Sequence, residues 1–154
     1  MSQSLPLDSV SVNKKAISDA VRASHQRIWE TSAICSHAKE IRITRNEKFA
    51  REVLTRDRKD VRALLCLLTG HGGFRKQLQR MGLADNSVCP LCRQDEDTAL
   101  HLLCECQALR WCRFSCFGQT VITDPSDVSG LSCSLLLGFI MKSGRFEEIT
   151  GSNL

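Results

Sequence analysis

Tyrosine is missing from the 154-residue chain, prolines number three, and aromatic side chains make up only 5% of it. Any core must therefore be largely aliphatic. No apolar run approaches the roughly 18 residues that a membrane-spanning helix requires. Residues 1–10 lack the basic start and apolar stretch of a signal peptide. The expected setting is therefore intracellular, in nucleus or cytoplasm, and not secreted, with thiols free or metal-bound. Repeats and low-complexity tracts are absent. No Gly-Lys-Ser/Thr occurs, which excludes a Walker-type phosphate loop.

Cysteine, by contrast, occurs nine times. An odd count fits poorly with a closed disulfide framework. The composition is otherwise ordinary for one soluble globular domain, 42% hydrophobic and 25% charged.

Charge is unevenly spread. The net charge is +4, yet residues 31–80 carry 12 Lys and Arg against 5 acids, while residues 81–154 carry 5 against 9. Clustered cations attract phosphates and release counterions. The alternative is a solvated helical face laced by pairs such as Glu47–Arg51 and Glu52–Arg56. The candidate nucleic-acid contacts are Arg42, Arg45, Arg51, Arg58, Lys59, Arg75 and Lys76.

Apolar spacing predicts an all-α fold: a small helical bundle with one structural zinc-binding loop of the Cys-Cys-His-Cys type. A helix is expected over Asn13–Glu30 with Ser11 as N-cap, and Ile17, Val21 and Ile28 on one face. A short helix follows over Lys48–Leu54. A stronger one, capped by Thr55 or Asp57, runs to Thr69 with Val61, Leu64, Leu65 and Leu68 at helical spacing, and Gly70 stops it. Further helical pieces are expected over Phe74–Met81, Thr98–Cys104 and Ala108–Phe117. A last helix starts at Ser132 and turns Leu135, Leu136, Phe139 and Ile140 inward. From Arg145 the chain should fray. No alternating strand pattern is present, although the metal loop has room for a minimal hairpin.

The most specific feature is Cys89-Pro-Leu-Cys92, then eight residues, His101, four residues and Cys106. Two cysteines in one tight turn can face the same ion, and two more donors close a tetrahedral site. Four protein donors leave no position for water, so the chemistry is structural. The middle spacing is longer than a retroviral-type knuckle and shorter than a ββα finger, and no second complete ligand set of the kind a RING needs follows. Cys104 lies one helical turn after His101 and is a near-equal candidate for the fourth ligand. Cys35, Cys66, Cys112, Cys116 and Cys133 read as small core residues.

Catalysis finds no support. Thr69-Gly70-His71-Gly72-Gly73 superficially resembles the Gly-His-x-Gly loop of type I ribonuclease H, but the gathered carboxylates that hold two metal ions there are missing. Asp57, Asp60, Asp85, Asp95, Glu96 and Asp97 read as caps and dipole partners. His71 reads as a helix-end residue.

Several stretches together resemble one family. They are Leu67-Leu68-Thr69-Gly70-His71, Met81-Gly82-Leu83, Cys89 and Cys92, Glu96-Asp97-Thr98, His101-Leu102-Leu103-Cys104-Glu105-Cys106 and Ala108-Leu109. The chain is similar to the C-terminal region of non-LTR retrotransposon polyproteins, downstream of reverse transcriptase and ribonuclease H, over most of residues 5–146. The resemblance implies zinc ligands at Cys89, Cys92, His101 and Cys106. Where the family commonly has Pro after the last cysteine, this chain has Gln107. The catalytic acids of the polyprotein are not in this chain, so its activity does not transfer and no enzyme is expected.

The expected organisation is an N-terminal tail over 1–10, a basic helical region over 11–83, the zinc module over 84–118, a loop and C-terminal helix over 119–144, and a tail over 145–154. The expected function is an accessory module with one structural Zn2+ that binds RNA or DNA beside the reverse transcriptase/ribonuclease H portion of a parent polyprotein. No membrane and no small-molecule substrate is expected. The rival expectations are a protein–protein module docking on the polymerase or another partner, and a nonfunctional remnant of the element.

Overall fold

The computed structural model describes residues 13–33, 36–41 and 46–151. The chain divides into two units, residues 1–34 and 35–154. The first contains α1, Lys14–Thr31, which begins at Asn13: the Asn13 side chain accepts from the Lys15 and Ala16 amides. Ser11, the expected cap, lies outside the described residues, as do the tail over 1–10 and Cys35. No residue of α1 is buried; Ile17, Val21 and Ile28 are exposed.

The second unit is mostly helical, with no strand among its described residues. Its helices are α2 (Ser36–Glu40), α3 (Glu47–Leu54), α4 (Arg58–Thr69), α5 (Arg75–Arg80), α6 (Arg110–Phe117), α7 (Cys133–Lys142) and α8 (Phe146–Thr150). A π turn at His101–Glu105 and 3-10 turns at Gln107–Leu109 and Pro125–Gly130 complete it.

The caps follow from local chemistry. Asn46 accepts from the Phe49 amide, Asp57 from Asp60 and Ser132 from Leu135. Thus Asp57, not Thr55, starts α4, while Thr55 ends α3. Gly70 closes α4 in the left-handed region at φ 72°, and a Cβ there would also meet the His37 ring at 3.0 Å. The His37 Nε2 contacts the Leu67 carbonyl oxygen at 2.9 Å, which ties α2 to α4.

Helix α4 is central, packing on α2, α7 and α8; α7 also carries α3 and α6. The core is aliphatic: Ile41, Ala63, Leu64, Leu67, Leu102, Leu103, Leu136 and Ile140 are buried, joined by Phe74 and Phe139. Two inward faces differ from the sequence expectation. On α4, Leu65 is 55% exposed and Leu67 is buried; on α7, Leu135 is exposed and Leu137 is buried. In both cases the buried stripe is turned from the expected one, because the helices packed against it set its bearing.

The C-terminal residues 145–151 are not a frayed tail. Helix α8 packs on α4 with Ile149 and Thr150 buried. The Gly73 amide donates to the Ile149 carbonyl at 3.1 Å. The expected pair Glu52–Arg56 is also replaced. Glu52 accepts from the Cys133 amide at 3.2 Å, and Arg56 donates to Ser134 Oγ at 2.6 Å, so both serve the α3–α7 contact. Glu47–Arg51 is present at 3.9 Å between exposed side chains.

Candidate metal centre

The first half of the site is a reversed loop. Val88 and Glu96 form a single antiparallel bridge, the Cys89 amide donates to the Asp95 carbonyl at 2.8 Å, and the Asp97 amide donates to Ser87 at 2.7 Å. Between them the chain turns tightly. The Arg93 amide reaches back to the Cys89 carbonyl at 2.9 Å, and Arg93 itself takes φ 58°, in the left-handed region. Cys89 and Cys92 are thereby set on one side of the turn.

The second half comes from the segment after Thr98. Thr98 Oγ1 accepts from the His101 amide at 3.0 Å and its carbonyl from Leu102 at 3.0 Å, starting the helical turn. That turn is widened to π geometry and closes with the Cys106 amide donating to the His101 carbonyl at 2.8 Å. The chain then leaves the helix at Cys106, which frees this thiol to fold back toward His101.

The four donors converge. The ligand atoms of Cys89, Cys92, His101 and Cys106 all lie within 4.8 Å of one another. Cys89 Sγ and Cys106 Sγ are 3.9 Å apart, and Cys92 Sγ is 3.3 Å from His101 Nε2. A tetrahedral zinc with bonds of about 2.3 Å to sulfur and about 2.0 Å to nitrogen has edges of roughly 3.5–3.8 Å. The thiol separations are far too long for disulfides, and these cysteines are free. His101 Nδ1 is buried with no hydrogen-bond partner, and the Glu105 carboxylate lies 3.9 Å from it. Nε2 is thus the nitrogen that faces the thiols. The donor set and its spacing fit a metal ion.

Cys104 is placed elsewhere. It is buried in the aliphatic core, and burial pushes its thiol up to about 11. Of the two candidates for the fourth donor, Cys106 is therefore the one brought to the site. Burial and the nearby Cys89 thiol push Cys106 up to about 12. Burial opposes ionisation at Cys92 too, but the Gln94 and Asp95 amides, His101 and Cys89 outweigh it and bring that thiol down to about 7. Cys112 and Cys133 contact the carbonyls of Phe139 and Phe49, each at 3.7 Å, as core thiols do.

Two residues around the centre were not legible as site residues. Arg113 on α6 is fully buried and donates to three carbonyls: Thr120 at 2.8 Å, Leu102 at 3.2 Å and Cys106 at 2.5 Å. It clips α6 to both ends of the π turn. Asp97, expected as a cap or dipole partner, is fully buried in an ion pair with Arg145 and also accepts from the Arg75 amide at 2.8 Å. It joins the metal loop to α5 and to the start of α8.

The sequence-derived cations fare differently. Arg51, Arg58 and Lys59 are exposed, and Arg75 is half-buried at the start of α5. Lys76 is engaged by the Glu96 carboxylate across the metal loop. Arg42 and Arg45 lie outside the described residues. His71 is exposed at the end of α4, its Nδ1 2.9 Å from the Thr69 carbonyl oxygen. Among the described residues no helix is long and apolar enough to cross a membrane.

No family model matches this chain, and neither the curated proteins nor the solved structures contain a match.

Proposed function

We propose that the chain is an accessory nucleic-acid-binding module whose Cys89, Cys92, His101 and Cys106 hold one structural Zn2+. Four protein donors complete a tetrahedral shell and leave no site for a reacting water. The ion's contribution is then folding free energy, on the order of 10 kcal/mol for small zinc sites.

The observation that carries the nucleic-acid reading is the start of α4. Arg58 and Lys59 are exposed in its first turn and enter no ion pair among the described residues. Positive charge there opposes the helix dipole at a cost of about 0.3–1 kcal/mol, so these cations are poorly explained by stability. A phosphate backbone would bind them through sequence-independent, salt-sensitive contacts. The derivation from a non-LTR retrotransposon polyprotein belongs to the same proposal and rests on the sequence motifs.

The test is titration of labelled single- and double-stranded oligonucleotides at several salt concentrations. Reversing both charges, Arg58→Glu with Lys59→Glu, should weaken binding and lower the salt slope by about 2. An unchanged slope rejects this surface.

One observation favours a second reading, a protein-docking module. Trp111 and Phe114 on α6 are 64% and 52% exposed, packed edge to face at 6.0 Å, with the Arg110 guanidinium 5.5 Å from the Trp111 ring. Exposed aromatics with arginine are the common anchors of interfaces. Absence of oligonucleotide binding at low salt, with Trp111-dependent capture of the polymerase portion of the polyprotein, would select it.

A further inference from the structure

Arg113 poses a problem of charge. Its side chain is completely buried, beside Leu102, Cys104 and Cys106 of the core. A guanidinium stays protonated in a protein and cannot escape the cost of burial by neutralising. Its hydrogen bonds all go to carbonyls, and among the described residues it enters no ion pair. The other buried arginine, Arg145, has the fully buried Asp97 carboxylate. Carbonyl dipoles satisfy the Arg113 donors, and the one carboxylate that acts on its charge, Glu105, is solvent-exposed and forms no ion pair with it among the described residues. Buried charges are ordinarily paired.

The missing anion is next to it. A donor set of three cysteines and one neutral histidine, loaded with a divalent ion, has a formal charge of about −1. The Cys106 carbonyl that accepts from Arg113 Nη2 at 2.5 Å belongs to one of those donors. We infer that Arg113 is the counter-charge of the metal centre, a positioning residue that makes the three-thiolate, one-imidazole set the favoured one. This rests on the zinc reading above. The metal centre and the buried guanidinium each remove the other's penalty, so the ion's affinity depends on a side chain that never touches it.

The experiment measures zinc affinity by chelator competition on the whole chain, in two backgrounds. One is the native donor set. The other carries Cys92→His, at the less buried thiol, which makes the loaded set formally neutral. In the native set, Arg113→Met should weaken zinc binding by about 10- to 100-fold, the range seen when a residue supporting a metal ligand is lost. In the Cys92→His background the same substitution should cost less than about 3-fold. Arg113→Lys, which keeps the charge and loses the planar fork, should stay within about 3-fold of the native chain.

Equal losses in both backgrounds would overturn the charge role and leave Arg113 a clip for carbonyls. So would a Lys variant as weak as the Met variant, a comparison that stands even if Arg113→Met does not fold. A native chain that takes up no zinc would instead reject the metal centre itself, and the counter-charge with it.

Discussion

The Arg145 guanidinium forks onto the Asp97 carboxylate, Nη1 and Nη2 each donating to one oxygen at 3.0 and 2.9 Å, and both side chains are buried. Burial works against the charge on Arg145, and the Asp97 and Glu148 carboxylates overcome it, holding its pKa above the ordinary guanidinium range. The pair fastens the end of the metal loop, four residues before His101, to the residue before α8.

Breaking this pair from one side strands a buried charge. Arg145→Met should therefore destabilise the fold by about 3–5 kcal/mol. Adding Asp97→Leu should recover part of that loss, because the stranded carboxylate is gone, and not all of it, because the Arg75 amide loses its acceptor. Urea unfolding at saturating zinc measures both, and a single-variant loss below about 1 kcal/mol would contradict the burial.

The two cysteines at the end of the π turn should separate cleanly. The native chain should bind one zinc and lose helix on chelation. Cys106→Ser should abolish tight binding, whereas Cys104→Ser should keep the metal and cost stability only, about 1–3 kcal/mol as a buried polar replacement. Metal analysis with circular dichroism reads each outcome; zinc retained by the Cys106 variant and lost by the Cys104 variant would reverse the assignment.

Two glycines should respond in opposite directions to alanine. A Cβ on Gly73 would stand 1.7 Å from the Glu148 carbonyl oxygen, where α8 closes against the end of α4. Gly73→Ala should cost at least about 1–3 kcal/mol through forced backbone movement. Gly138 lies inside α7 and a Cβ there meets nothing within 4 Å. Gly138→Ala should add about 0.5–1 kcal/mol of stability. Thermal unfolding of the two variants side by side checks the signs.

His37 supplies a pH dependence away from the metal donors. Burial lowers its pKa below 6.5; the Leu67 carbonyl and Glu40 oppose this, and His71 adds to it. The unfolded chain thus takes up the proton more readily than the folded one. The stabilisation is complete above pH 6.5 and is lost as the pH falls from there toward the folded value. His37→Gln keeps a donor for Leu67 and cannot titrate, so the stability gap between native and variant should shift in the variant's favour on acidification. A gap that does not change with pH would reject the half-buried neutral imidazole.

Much of this architecture was legible because it is local. Asp57, Ser132, Gly70 and Gly118 mark helix ends by side-chain and backbone chemistry that needs no tertiary partner. The Cys89-x2-Cys92 turn and a following His101 announce a metal loop for the same reason. Ser11 and Asn13 have equal intrinsic aptitude as caps, so composition alone does not choose Asn13. Helical period fixes a stripe and not its bearing, so it does not distinguish exposed Leu65 and Leu135 from their buried neighbours.

The order of residues is enough to make the chain helical, to mark where several helices begin and end, and to bring three cysteines and a histidine within reach of one ion. Those properties depend on spacing, capping and donor chemistry within about ten residues. Long-range packing is what brings Cys106 and not Cys104 to His101, sets Lys76 against Glu96, and buries Ile149 and Thr150 of α8 in the core. It alone joined Arg145 to Asp97, 48 positions away, and set Arg113 against Cys106. Such contacts follow from which apolar faces bury one another, and a charged side chain becomes a core residue only where that burial leaves it a partner.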